Sequence, residues 1–234
     1  TSGVSKFISG VILFDETIRQ QSPDGKPMVE VISDAGMIPG IKVDKGAKPL
    51  AAAPMETVTE GLDGLRDRCL EYVALGAKFA KWRAVINVGT DIPSEYCITT
   101  NAHALARYAS LCQETGLVPI VEPEVLMDGP HDIARCELVP ETTLKALYHE
   151  LHKQRVVLEG TLLKPNMVIS GSECPQQAGV DEVAERTVAC LKRSVPAAVP
   201  GIVFLSGGQS DQDATSHLNS MNANSSSLPW KLSF

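Results

Sequence analysis

Seven short apolar runs, each set off from the next by a longer stretch of helical periodicity, constrain this chain more than any other feature. The runs cover 10–14, 40–43, 79–85, 118–121, 157–163, 202–205 and 232–234. Strand-like and helix-like segments in alternation argue for βα units around a parallel sheet, an α/β fold. Between the runs, Leu62, Leu65, Cys69 and Tyr72 step by three and four residues, and Gly76 supplies a stop. Leu105, Ala109 and Cys112 do the same before Gly116. Further stripes follow in Leu144, Leu147, Tyr148 and Leu151, and in Val180, Val183, Ala184, Val188 and Leu191. A last helix is expected to start at Ser210 or Asp211, either of which can cap it, and to turn Ala214, Leu218 and Met221 inward before a polar loop over 222–227.

A parallel strand buried on both faces reads as nearly all apolar, and several of these do not. Lys42 follows Gly40-Ile41, Lys81 and Arg83 interrupt the run at 79–85, Glu122 and Glu124 follow 118–121, and Lys164 follows Leu162-Leu163. Each charge sits at or near the C-terminal end of its run, the end at which a (β/α)8 barrel builds its active site. The 234 residues also match the span of about 250 typical of such a barrel, so one domain over 1–234 is expected. Seven runs leave it one strand short, placing the missing first strand before Thr1 and a cut C-terminal region after Phe234; an incomplete barrel, and hence a fragment, is the expectation. A doubly wound open sheet competes, but it usually carries a GxGxxG turn after its first strand, which this sequence lacks.

Because side chains alternate along a strand, Lys81 and Arg83 share one face while Trp82 points away; Glu122 and Glu124 share a face too, unless Pro123 bends them apart. Any one of these charges reads as an ordinary ion pair or a snorkelling lysine. Repetition on four strands points instead to a site. An amine attacks a carbonyl only when unprotonated, which desolvation or a nearby cation favours. Lys164 beside Lys81 is placed for both, and Glu122 and Glu124 for passing protons. Ser206-Gly207-Gly208 lies between a strand and a helix, where backbone amides can bind phosphate; a plain glycine turn is the alternative.

Composition removes other classes. A net charge of −7 argues against a nucleic-acid partner, and no apolar run approaches a membrane span. The run near the start, followed at once by Asp15 and Glu16, is a poor signal peptide, so a cytoplasmic location is expected. Six cysteines without CxxC spacing read as reduced structural thiols. His149 and His152 could share a helix face as metal ligands, but an amphipathic helix with solvent-side histidines explains them as well; His103, His131 and His217 show no ligand spacing. Leu205-Ser206-Gly207-Gly208-Gln209 is similar to the signature of ABC-transporter ATPases, yet the GxxxxGK[ST] loop they need is absent, Gly25-Lys26-Pro27 having neither spacing nor hydroxyl.

The stretch Val156-Val157-Leu158-Glu159-Gly160-Thr161-Leu162-Leu163-Lys164-Pro165-Asn166 resembles the active-site signature of class I, Schiff-base-forming fructose-bisphosphate aldolases. Similar matches are Gly40-Ile41-Lys42-Val43-Asp44-Lys45-Gly46, Gly61-Leu62-Asp63-Gly64-Leu65, Phe79-Ala80-Lys81-Trp82-Arg83, Val118-Pro119-Ile120-Val121-Glu122-Pro123-Glu124 and Phe204-Leu205-Ser206-Gly207-Gly208-Gln209-Ser210. The resemblance implies reversible cleavage of fructose 1,6-bisphosphate to glycerone phosphate and glyceraldehyde 3-phosphate, with no metal or other cofactor. By it Lys164 is the imine-forming lysine, Glu122 the main acid/base and Glu124 its neighbour pairing with Lys81. Lys81 stabilises developing charge, Lys42 and Arg83 bind substrate phosphate and hydroxyls, and Ser206, Gly207 and Gly208 form the phosphate loop. The family also uses an aspartate on its first strand, a Gly-Arg pair after its last and a C-terminal tyrosine, none of which occurs at 1–234, so this stretch alone is expected to be inactive or nearly so. A homotetramer is implied as well, with actin binding as a non-enzymatic role and a metal-dependent aldolase as the rival mechanism.

Overall fold

A computed structural model of the protein describes residues 3–224 and 227–234. Seven strands form one all-parallel sheet. In chain order the strands are β1 (Gly10–Leu13), β2 (Ile38–Lys42), β3 (Ala47–Pro49), β4 (Thr57–Thr59), β5 (Phe79–Ile86), β6 (Val118–Val125), β7 (Leu162–Leu163), β8 (Gly201–Val203) and β9 (Lys231–Ser233). The sheet runs β1-β2-β5-β6-β7-β8-β9, while β3 and β4 make a separate antiparallel hairpin. The helices are α1 (Asp15–Ile18), α2 (Met28–Asp34), α3 (Leu65–Ala74), α4 (Glu95–Thr115), α5 (Ile133–Lys153), α6 (Val180–Ser194) and α7 (Asp211–Asn224).

The sheet curls. Arg83 on β5 and Phe234 just after β9 line one cleft, although four strand spacings, about 19 Å in a flat sheet, separate β5 from β9. Helices α3 to α7 pack one against the next in the same sequential order, and α4 lies on β5 and β6. Among the described residues no ladder joins β9 to β1, so the architecture is an incomplete (β/α)8 barrel, as the alternation predicts.

Local chemistry explains the element ends. Ser94 caps α4 by accepting from the Cys97 amide at 3.1 Å, and Asp132 caps α5 through the Arg135 amide at 2.8 Å. Ser210 takes the Asp213 amide at 3.1 Å, which makes it the cap expected for α7. Gly116, at φ 88°, closes α4 in the left-handed conformation. The core lies between the outer sheet face and the helices: Trp82 is fully buried there and stacks on Tyr108 of α4, with ring centroids 5.5 Å apart. Gly40 has no side chain because the Phe79 ring covers it; an added Cβ would lie 2.3 Å from that ring.

Three expectations change. The run at 157–163 is mostly a 3-10 turn, Leu158–Gly160, with only Leu162–Leu163 in the sheet. Strand β6 begins at Val118 and pairs with β7 from Ile120, so the earlier residues have no strand beside them; Gln113 of α4 bonds Val157 instead, at 3.0 Å to its amide and 2.8 Å to its carbonyl. The hairpin β3–β4 was not foreseen. Of the loop expected over 222–227, residues 222–224 complete α7 and 225–226 lie outside the described residues.

Candidate active site

Three of the four charged strand ends meet, those of β5, β6 and β7. Lys81 and Arg83 leave β5 on the face opposite Trp82, and Pro123 does not split Glu122 from Glu124, because β6 runs unbroken to Val125. Lys81 stands in register with Ile120 and Arg83 with Glu122. Each cation nevertheless reaches the carboxylate two residues further along β6. The Lys81 ammonium lies 2.8 Å from Glu122 Oε2, off the hydrogen-bond angle, and the Arg83 guanidinium donates to Glu124 Oε2. The expected Lys81–Glu124 pair is therefore replaced by Lys81–Glu122 and Arg83–Glu124. The short side-chain stagger between strands decides this, and sequence alone does not contain it. Glu124 holds the Arg83 guanidinium above its ordinary range.

Lys164 follows β7 and hangs on β6 by its backbone, its amide donating to the Val121 carbonyl at 2.8 Å. That bond brings its Nζ 2.6 Å from Glu122 Oε1. One buried carboxylate thus bridges two lysines, one through each oxygen. Glu122 is 3% exposed and Lys81 8%, so most of this cluster is shielded from water, while the Lys164 side chain keeps 22% exposure and faces the cleft. Asn166, two residues on, takes the Val125 amide at 3.0 Å and fixes the exit of β6 to the segment carrying Lys164.

The cleft above measures about 990 Å³ and is lined by Arg83, Glu122, Glu124 and Lys164 on one side and by Ser206, Gly207 and Gly208 on the other. Gly207 and Gly208 take φ values of 61° and 85°, left-handed geometry that turns the loop into the start of α7. Lys42 is outside the cleft wall: it stands in register with Lys81 but folds onto Asp44, 2.5 Å from Oδ1. Asp128 and Ser172 were missed as cleft-lining residues, and Asp44 as the partner of Lys42. Asp44 could have been found, since Lys42 and Asp44 are two apart at a strand end. Asp128 and Ser172 sit on loops brought together by three backbone bonds, from Gly171 to His131, Ser172 to Met127 and Glu173 to Gly129, and nothing local in the sequence signals them. His149 and His152 lie exposed on α5, away from the cleft.

The family model described as glycolytic fructose-bisphosphate aldolase class-I matches residues 1–234. The chain belongs to the class I fructose-bisphosphate aldolases. It is 65% identical, over its whole length and 70% of the relative's, to a probable fructose-bisphosphate aldolase class 1 of Xanthomonas campestris. It is 57% identical to fructose-bisphosphate aldolase 6, cytosolic, of Arabidopsis thaliana, covering all of this chain and 65% of that protein. The aldolase of Plasmodium falciparum, solved in complex with TRAP and a small-molecule inhibitor, superposes with a TM-score of 0.97 at 50% identity, over 100% of this chain and 68% of that one. As a class I aldolase the protein is a lyase of glycolysis, acting on fructose 1,6-bisphosphate. None of its described helices is long and apolar enough to cross a membrane.

Proposed function

We propose that Lys164 is the amine that forms the Schiff base, and the observation that carries this is the single Glu122 carboxylate held between Lys164 and Lys81. A ketone at C2 entering the cleft meets the Lys164 nitrogen, and Glu122, already bonded to it, receives the proton the amine must lose. The same carboxyl then returns a proton to the carbinolamine hydroxyl, which leaves as water and yields the iminium. Glu122, ionised again, takes the C4 hydroxyl proton as C3–C4 breaks; the electron pair of that bond passes into the iminium, giving an enamine and releasing glyceraldehyde 3-phosphate. Protonation at C3 and hydrolysis of the imine release glycerone phosphate and restore the amine.

The other residues take supporting roles. Lys81, fixed on the second Glu122 oxygen, stabilises charge that develops on the substrate oxygens. Glu124 holds Arg83 at the cleft wall, where the guanidinium can grip phosphate or hydroxyls. Ser206, Gly207 and Gly208 offer backbone amides beside the start of α7 for the C1 phosphate; Lys42, one strand from Lys81 and outside the cleft lining, is assigned to the substrate on the family resemblance. Borohydride trapping with substrate, followed by peptide mapping, tests the assignment: the label is expected on Lys164, and label on any other amine overturns it. Activity that survives chelation separates this mechanism from a metal-dependent aldolase.

A single catalytic domain, supported by the continuous match over 1–234, and a cytoplasmic location, supported by the cytosolic Arabidopsis relative, complete the reading, with a homotetramer as the assembly the family resemblance implies. The Plasmodium relative was solved with TRAP bound, which supports a protein-binding role beside catalysis, with actin as the proposed partner. Co-sedimentation with filamentous actin checks this, and no retention removes it.

A further inference from the structure

Strand β2 stops at Lys42, whereas its neighbour β5 continues to Ile86. The backbone of β5 beyond Lys81 therefore has no ladder partner on that side; the hairpin β3–β4 packs there, and side chains serve the backbone instead. Thr59 donates to the Arg83 carbonyl at 2.7 Å and Thr57 to the Val85 carbonyl at 2.8 Å. Asp44 Oδ2 accepts from the Arg83 amide at 3.2 Å.

The other oxygen of Asp44 does something the ladder does not require. Oδ1 takes the Lys42 ammonium at 2.5 Å and the Gly46 amide at 3.1 Å, and the Asp44 carbonyl accepts from the same ammonium at 3.1 Å. The Asp44 side chain is only 2% exposed, while Lys42 keeps 24%. A lysine stem with four rotatable bonds is thereby anchored at its charged tip, on the same sheet face as Lys81 and one strand away from it. The carboxylate is joined through one oxygen to Lys42 and through the other to the strand that carries Arg83.

We propose that Asp44 is a positioning residue for substrate binding: it holds the Lys42 ammonium where a phosphate or hydroxyl of the substrate meets it, and ties that ammonium to the backbone at Arg83. The proposal rests on the reading of Lys42 as a substrate-binding residue. Asp44 touches no reacting atom; it acts through Lys42. A buried carboxylate that orients a ligating group typically contributes a ten- to hundred-fold effect, and about tenfold is expected here.

The test uses the complete gene product with Asp44→Asn, Asp44→Ser, Lys42→Met and the Asp44→Asn/Lys42→Met double variant. Asn keeps one acceptor and loses the charge; Ser is small enough for the site and leaves the Arg83 amide a partner. Expected are a rise in KM for fructose 1,6-bisphosphate of about tenfold with kcat within about twofold for each single variant, and a double variant no worse than Lys42→Met alone. Acetylation of the Lys42 amine, followed by mass spectrometry, should rise several-fold in Asp44→Asn and Asp44→Ser, while borohydride trapping at Lys164 continues. A purely structural Asp44 would lower the melting temperature with KM and Lys42 labelling unchanged, or give additive losses in the double variant; either result overturns the proposal. Unchanged KM in Lys42→Met also overturns it, whereas loss of trapping at Lys164 in the parent protein would strike the Schiff-base reading separately. If Asp44→Asn does not fold, Asp44→Ser with the labelling measurement decides on the same criteria.

Discussion

Glu122 and Glu137 each hold two basic side chains, in contrasting settings. Glu122, with a side chain 4% exposed, lies at the mouth of the curled sheet between Lys164 and Lys81, whose side chains are 22% and 10% exposed. Glu137, 16% exposed, lies on α5 between Arg186 and Arg193 of α6, at 37% and 45%. The chemistry of the cations differs as much as the burial. A guanidinium stays charged and offers a rigid fork, so the outer pairs can only hold α5 to α6. An ammonium can give up its proton and become a nucleophile, and a carboxylate bonded to it can take that proton. On the proposed reading the inner cluster moves a proton, and the outer one keeps charges still.

Replacing Lys164, the proposed nucleophile, tests this most strongly. Lys164→Arg keeps a cation beside Glu122 but cannot form an imine, so kcat/KM should fall on the order of 10⁵-fold, as for removal of other covalent nucleophiles, and borohydride trapping should vanish. A variant that retains a tenth of the activity would make Lys164 another structural cation, like Arg193. Glu122→Gln comes next: the loss of a positioned acid/base should lower kcat by about 10²–10⁴-fold. It also leaves two lysines beside a neutral amide, which should cost about 3 kcal/mol in denaturant unfolding. Gly171→Ala sharpens the comparison by leaving every charge in place. An added Cβ would lie 2.2 Å from the Gly129 carbonyl, inside the three-bond contact that sets Met127, Asp128 and Ser172 around the cleft. A stability loss of about 1–3 kcal/mol is expected from such overpacking, with a smaller fall in kcat/KM than for Glu122→Gln.

The two regions were not equally legible. Charges at the ends of apolar runs marked Lys42, Lys81, Arg83, Glu122, Glu124 and Lys164, because a strand buried on both faces has few reasons to carry them. Period-two alternation gave the faces of Lys81 and Trp82 correctly. Which cation meets which carboxylate was hidden, since register and stagger between strands fix it: Lys81 passes Ile120 to reach Glu122. The 3-10 turn at Leu158–Gly160 was hidden for a related reason, the β-branched Val157 and Thr161 that flank it reading as strand where no neighbouring strand exists to pair. Asp128 and Ser172 join the cleft only through loop contacts between distant segments. The Arg186–Glu137–Arg193 cluster joins two helices some 50 residues apart in sequence, beyond the reach of spacing rules within one helix.

The smallest effect belongs to that outer cluster, and pH supplies its signature. Burial pushes the Glu137 carboxyl up, but hydrogen bonds from Arg193 and Arg186 outweigh it and leave the group below its ordinary range. A carboxyl depressed in the folded state stabilises the fold above its unfolded value, about 4.3, and that contribution disappears as pH falls through the lower folded value. Glu137→Gln should therefore cost no more than about 1 kcal/mol at pH 7, since both guanidiniums are well exposed to solvent. The difference from the parent should stay constant between about pH 8 and 5, shrink below about pH 4, and shrink also in 1 M salt, where screening acts over about 3 Å. Its kcat/KM should equal that of the parent, because none of Glu137, Arg186 and Arg193 lines the cleft. Equal activity with a salt-sensitive, acid-sensitive loss of stability would separate the two carboxylates by function as cleanly as burial separates them in space; a loss of activity comparable with that of Glu122→Gln would erase the distinction.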